Sequence, residues 1–197
     1  MALTRLGPNN SANISGINLT SQVTGTLPAA NGGTGTTSYT PGITNAEQWN
    51  LTSSQTLGSG EVLLTPFSRL TSSGVGNIGT NVSSSSGVFT FSSTGIYAVR
   101  LQMYINRINH LVEFVGGIMK YSTNGSDYST ISNSYDSLPD VSNAHCSVTV
   151  EAIIDVTNTS NNKIKFMGEA SDASGAQISG TGSVANTAAT FIRLGDT

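Results

Sequence analysis

An all-β sandwich or jelly roll is the fold class this sequence predicts, and three observations predict it. Short runs of alternating apolar residues recur from about residue 43 onward. Clusters of Ser, Gly and Asn separate them, which is the turn punctuation of a β protein. No apolar period of 3.6 is sustained over three turns in the 197 residues, so no amphipathic helix is expected. Many short strands without helices must bury their apolar faces sheet on sheet.

The strands read off in order. "AEQWNL" places one around Trp49, and "EVLLTPFSRL" another, with Pro66 marking an edge or a bulge. "VFTF" and "GIYAVRLQMYI" stand on either side of "SSTG". "LVEFVGGIMKYS", "SVTVEAIIDV", "KIKFMGEA" and "TAATFIRLG" complete the set. "TNGSD" at 123–127 carries an Asn-Gly pair between apolar runs, a strong hairpin signal. "NTSNN" at 158–162 is read as a second turn of the same kind.

Composition narrows the function classes. Charged residues are 10% of the chain, against roughly 25% in an average globular protein. Net charge is -3 and no basic stripe is present, so no nucleic-acid partner is expected. The longest apolar run falls far short of the ~20 residues a membrane span needs, and no membrane insertion is expected. The single cysteine, Cys146, cannot close an internal disulfide. The first ten residues, "MALTRLGPNN", lack the apolar core of a secretory signal, which leads us to expect a chain made in a cytosol.

Catalytic and metal signals are weak. His110 lies near Glu113 and His145 adjoins Cys146, but neither has the spacing of a zinc site. "GGTGTT" lacks the Lys-Ser/Thr of a phosphate loop. Asp127, Asp136, Asp140 and Asp172 fall near predicted turns, where Asp is common for its own hydrogen-bonding reasons. Asp136 and Asp140, in "SYDSLPD", have the oxygen-rich surroundings a calcium ion prefers. Lys163 and Lys165 alternate as on a solvated strand face. No catalytic residue, metal or cofactor is assigned.

Residues 87–104, "GVFTFSSTGIYAVRLQMY", are the most specific part of the chain. Phe89 and Phe91 point one way from one strand, and Gly95 closes the turn. Tyr97, Val99 and Leu101 then line one face of the next strand. This resembles the signature of the C1q/TNF-like jelly-roll family, although that family's Phe two positions after the Tyr is Val99 here. The closing "ATFIRLGDT" resembles the family's last strand, and "SVTVEAIIDVTNTSNNKIKFMG" its penultimate hairpin. The resemblance covers residues 43–197 and implies a homotrimer. Phe89, Phe91, Tyr97, Val99, Leu101, Phe191, Ile192 and Leu194 are the residues expected in core or trimer packing.

Residues 1–42 differ in character. Leu3, Leu6, Ile14, Ile17, Leu19, Val23 and Leu27 are spaced by small polar residues, too sparsely to build a core. Residues 27–42, "LPAANGGTGTTSYTPG", carry no charge and suit neither helix nor strand. Residues 24–35, "TGTLPAANGGTG", resemble a linker of bacteriophage tail-fibre and related virion proteins, with Pro28, Gly32, Gly33 and Gly35 at its turn. That resemblance implies a homotrimer with an extended arm, ordered by neighbouring copies, that anchors to other virion proteins. The chain is thus expected to be an all-β virion protein, with arm 1–42 and jelly-roll head 43–197. Loops rich in Asn, Ser, Tyr and Asp suggest weak contact with host surface glycans. A polysaccharide hydrolase and a free carbohydrate-binding module are the rival classes.

Overall fold

Strand formation follows the period-two pattern closely where apolar residues alternate. In "KIKFMGEA", Ile164, Phe166, Gly168 and Ala170 are buried while the residues that alternate with them are half-buried. The computed structural model describes residue 33 and residues 42–197 except 73, 110 and 142. The compact unit described runs Gly42–Thr197. Among the described residues there is no helix and there are thirteen strands. These are β1 Ala46–Leu51, β2 Ser53–Thr56, β3 Val62–Leu63, β4 Phe67–Arg69, β5 Val82–Ser85, β6 Val88–Phe91 and β7 Gly95–Arg107. β8 Val115–Ser122, β9 Ser129–Asp136, β10 His145–Val156, β11 Lys163–Ala170, β12 Ala176–Thr181 and β13 Ala188–Gly195 follow.

They form two antiparallel sheets. The seven-stranded sheet runs β2-β12-β7-β13-β1-β4, with β10 on the other edge of β7. The six-stranded sheet runs β5-β6-β11-β8-β9, with β3 also paired to β11. The thirteen-residue β7 is the axis of the larger sheet. β10 pairs along nearly its whole length, while β13 and β12 share its opposite edge in series.

Aromatic rings fill the space between the sheets. Phe89, fully buried, comes from β6 of the smaller sheet. Its ring centroid lies 5.8 Å from Trp49, 5.2 Å from Phe67, 5.4 Å from Phe166 and 5.0 Å from Phe191. Tilted and edge-on pairs at such spacings contribute about 0.5–1.5 kcal/mol each beyond their area. Phe91 packs on Tyr97 at 4.8 Å. The buried Tyr97 hydroxyl donates to Ser93 O at 3.0 Å, which satisfies that hydroxyl and ties the "SSTG" turn to β7. Gly95 has φ +141°, and a side chain there would run into Gly195 O and Arg193. At Gly117 the space a side chain would need is taken by the tip of Met103 from the facing sheet.

A buried charge pair ties the two sheets near the start of β1. Glu47 accepts from Asn45 Nδ2 at 2.6 Å, Val82 N at 2.9 Å and Arg69 Nε at 2.9 Å. Arg69 Nη2 also donates to Val82 O at 2.9 Å, and its guanidinium lies 4.9 Å from the centre of the Trp49 ring. Arg69 belongs to the larger sheet and Val82 to the smaller. Full satisfaction of the Glu47 oxygens is what makes a buried carboxylate tolerable here.

Two sequence expectations need correction. The stretch read as a penultimate hairpin is not one. β10 pairs with β7 and β11 with β3, β6 and β8, so 157–162 carries the chain from one sheet to the other. The physical reason is that both strands put apolar residues inward across the sandwich, and Asn158 and Asn162 satisfy the turn locally. Asn162 Oδ1 accepts from Asn158 N at 2.7 Å. "EVLLTPFSRL" is likewise two strands, β3 in one sheet and β4 in the other, with Pro66 at the crossing. The Asn-Gly turn does join a hairpin, β8 to β9, with Gly125 at φ +86°. Replacing Phe89 by Ala is expected to cost about 3–5 kcal/mol in urea unfolding, since four rings lose their shared partner.

Candidate interaction surface

Alternation within the larger sheet dictates what its outward face shows. Residues directly opposite in a ladder share a face. Ile153 of β10 stands opposite Ala98 of β7, Ala98 opposite Ile192 of β13, and Ile192 opposite Ala46 of β1. An isolated bridge carries the row on from Ala46 to Ile78. Neighbouring strands lie about 4.8 Å apart, so these five residues draw an apolar line about 19 Å long across the sheet. Ile153 is 72% exposed and Ile78 51%. The next row along the strands is polar: Glu151 stands opposite Arg100, Arg100 opposite Thr190, and Thr190 opposite Gln48. A shallow groove of about 600 Å³ lies over this region, bounded by Ala98, Arg100, Glu151, Ile153, Thr190 and Ile192. A contiguous apolar strip rimmed by both signs of charge has the composition of a protein-contact surface.

The expected packing residues divide between the two faces. Phe89, Phe91, Tyr97, Val99, Leu101 and Phe191 come together in the core. Ile192 is half-buried on the outward face, within the apolar row. Leu194 is 54% exposed. Phe191 and Ile192 are consecutive in β13, so they must point to opposite faces. Ala46, Ile78, Ala98 and Ile153 escaped the sequence reading. The available signal was the doublet Ile153-Ile154, since only one of two adjacent strand residues can face the core. Leu3, Leu6, Ile14, Ile17, Leu19, Val23, Leu27, Pro28, Gly32 and Gly35 lie outside the described residues, as does His110. Gly33 is described, as a half-buried bend.

The acids are occupied locally. Asp127 Oδ2 accepts from Asn124 Nδ2 at 2.6 Å, Asp136 Oδ1 from Ser137 N at 2.8 Å, and Asp140 Oδ1 pairs with Arg107 at 2.6 Å. Among the described residues no three His, Cys, Asp or Glu side chains converge as a metal site. Lys165 Nζ sits 3.9 Å above the centre of the Tyr128 ring, and Lys163 Nζ donates to Gly125 O at 3.4 Å. Cys146 is half-buried against the core. Burial, aided by the Asp136 charge, pushes its thiol up to about 11.

No protein-family model matches the chain, and no curated protein matches it in sequence. Solved structures do. Crystal structures of murine APRIL at pH 8.5, pH 8.0 and pH 5.0 superpose with TM-scores of 0.55, 0.54 and 0.51. Sequence identities are 13%, 12% and 12%, and each match covers 76% of this chain and 98% of that one. The fold is a TNF-like jelly roll. At such identity the likeness is one of architecture alone. In this TNF-like jelly roll, two antiparallel sheets pack face to face, and β7, β10, β13 and β1 carry the apolar row on the outside of the larger one. A thiol raised to about 11 stays protonated at pH 8, so Cys146 is expected to alkylate slowly in the folded protein. Iodoacetamide followed by mass spectrometry should show fast labelling only in denaturant or at strongly alkaline pH.

Proposed function

We propose that this chain is a non-enzymatic structural protein of a bacteriophage virion, a homotrimeric surface fibre or decoration protein. Residues 1–42 anchor it to other virion proteins, and the jelly-roll head, 43–197, projects outward, where it contacts host surface glycans. The observation that carries self-association is the apolar row from Ile153 to Ile78 on the outside of the larger sheet. A second copy of the chain is its natural cover, because the apolar line is flanked by an acid and a base, Glu151 opposite Arg100, that can meet their complements on the other copy. The virion assignment is supported by the linker pattern at 24–35.

The capsid surface is favoured over the tail. A receptor-binding short tail fibre or baseplate protein is the second reading, favoured by the same linker pattern. A host-polysaccharide hydrolase would need two carboxylates about 5–9.5 Å apart in a cleft. Asp140 and Asp127, held by Arg107 and Asn124, are poor candidates for that work.

Light scattering on the full chain should give the mass of three copies. Ile153→Arg should shift it to one copy that keeps the β-sheet circular dichroism of the wild type, since this side chain is 72% exposed on the single chain, and the melting temperature should fall as the assembly is lost. Residues 43–197 alone should remain trimeric but fail to join particles. A monomeric wild-type chain would overturn the proposal.

A further inference from the structure

We propose that the opposite end of the same sheet face is a binding groove for a neutral saccharide, a site that deepens the adhesive role proposed above and rests on it. The apolar row crosses β7 at Ala98. Eight residues on, at Asn106, the face is lined quite differently, about 27 Å away along the strand. Asn106 stands opposite His145 of β10 on one side and Gln177 of β12 on the other. Arg107 N donates to Ala144 O at 2.9 Å, which brings the loop residue Asn143 to the strand end. The result is a depression of about 410 Å³ walled by Tyr104, Asn106, Arg107, Asn143, His145 and Ser179. Tyr104 also walls a second hollow of about 420 Å³ that includes Gln102 and Asn186.

The chemistry of the lining selects the ligand class. The Arg107 guanidinium donates to Asp140 Oδ1 at 2.6 Å and to Pro139 O at 3.3 Å, so its charge is matched within the protein. What remains is amide, hydroxyl, phenol and imidazole: donors and acceptors without a strong field. An anionic ligand meets Asp140 beside the only guanidinium of the groove, and a cationic one meets Arg107. An extended peptide finds no free ladder on β7, the strand under the groove, because β7 is hydrogen-bonded by β10 on one edge and by β12 and β13 on the other. A saccharide needs what is present. Its C–H faces pack on aromatic rings, and Tyr104 and His145 lie 5.4 Å apart with ring planes 34° from parallel. Its hydroxyls take bidentate partners of the kind Asn side chains provide, on a rigid strand scaffold.

The test uses the full-length protein on an array of neutral glucose, galactose and N-acetylglucosamine oligosaccharides beside sialylated and sulfated ones. The strongest neutral binder is then titrated calorimetrically. Neutral oligosaccharides should be retained, and Asn106→Ala and His145→Ala should each weaken binding about tenfold or more. Lys165→Ala, on the outside of the other sheet, should leave affinity unchanged. Melting temperature and mass in solution should be unaltered in all three variants. No retention of neutral sugars, a preference for acidic ones, or retention unaffected by both groove substitutions would each overturn the site. Mass in solution separates this from the functional proposal. A monomer whose sugar binding is lost in H145A upholds the groove and overturns the trimer, and a trimer without sugar binding does the reverse.

Discussion

The ring of Phe89 is the contact on which the two sheets are registered. It rises from the smaller sheet and meets Trp49, Phe67 and Phe191 of the larger, with Phe166 beside it. Once Phe89 and Phe91 face inward, the chain has only Ser92, Ser93 and Thr94 in which to cross the sandwich before Gly95. Tyr97 must then come back under Phe91, and the Tyr97–Ser93 hydrogen bond holds it there. That settles the parity of all of β7. Ala98, Arg100, Gln102, Tyr104 and Asn106 are turned outward for its whole length. A slip of one residue would bury Arg100 and expose Leu101. Both surface features described above are consequences of that parity.

Legibility in the sequence tracked apolar content. β1, β6 and β11 coincide with the runs read as "AEQWNL", "VFTF" and "KIKFMGEA" because each alternates large apolar residues with polar ones. β2, β5 and β9 went unread. Their sequences are SSQT, VSSS and STISNSYD, and all three lie at sheet edges, where few side chains need be apolar. β12, AQISGT, buries only Ala176 and Ile178, too little to register as alternation. The surface was less legible than the core. Its residues come from β1, β7, β10 and β13, and only pairing across the ladders lines them up. Ala46 and Ile192, 146 positions apart in the chain, are ladder partners.

The outward face of the larger sheet is graded along its strands. At the Ala98 end it is greasy, in the middle it carries Arg100 against Glu151, and at the Asn106 end it is amide and aromatic. Such a gradient follows from few charges and many small polar residues, the composition that first set this chain apart. The Asn106 end, where the charge of Arg107 is matched by Asp140, discriminates by shape and hydrogen-bond geometry, and its contacts are little weakened by salt.

The Glu47–Arg69 clamp carries a mechanical consequence. Tension applied to the head through Gly42 runs along β1, which is held by β13 on one edge and β4 on the other. Load in that direction must shear both ladders together instead of unzipping one. At the leading end it must also drag the buried Glu47 carboxylate away from Arg69 and Val82. A pull that enters through β1 therefore meets two ladders and a buried ion pair at once.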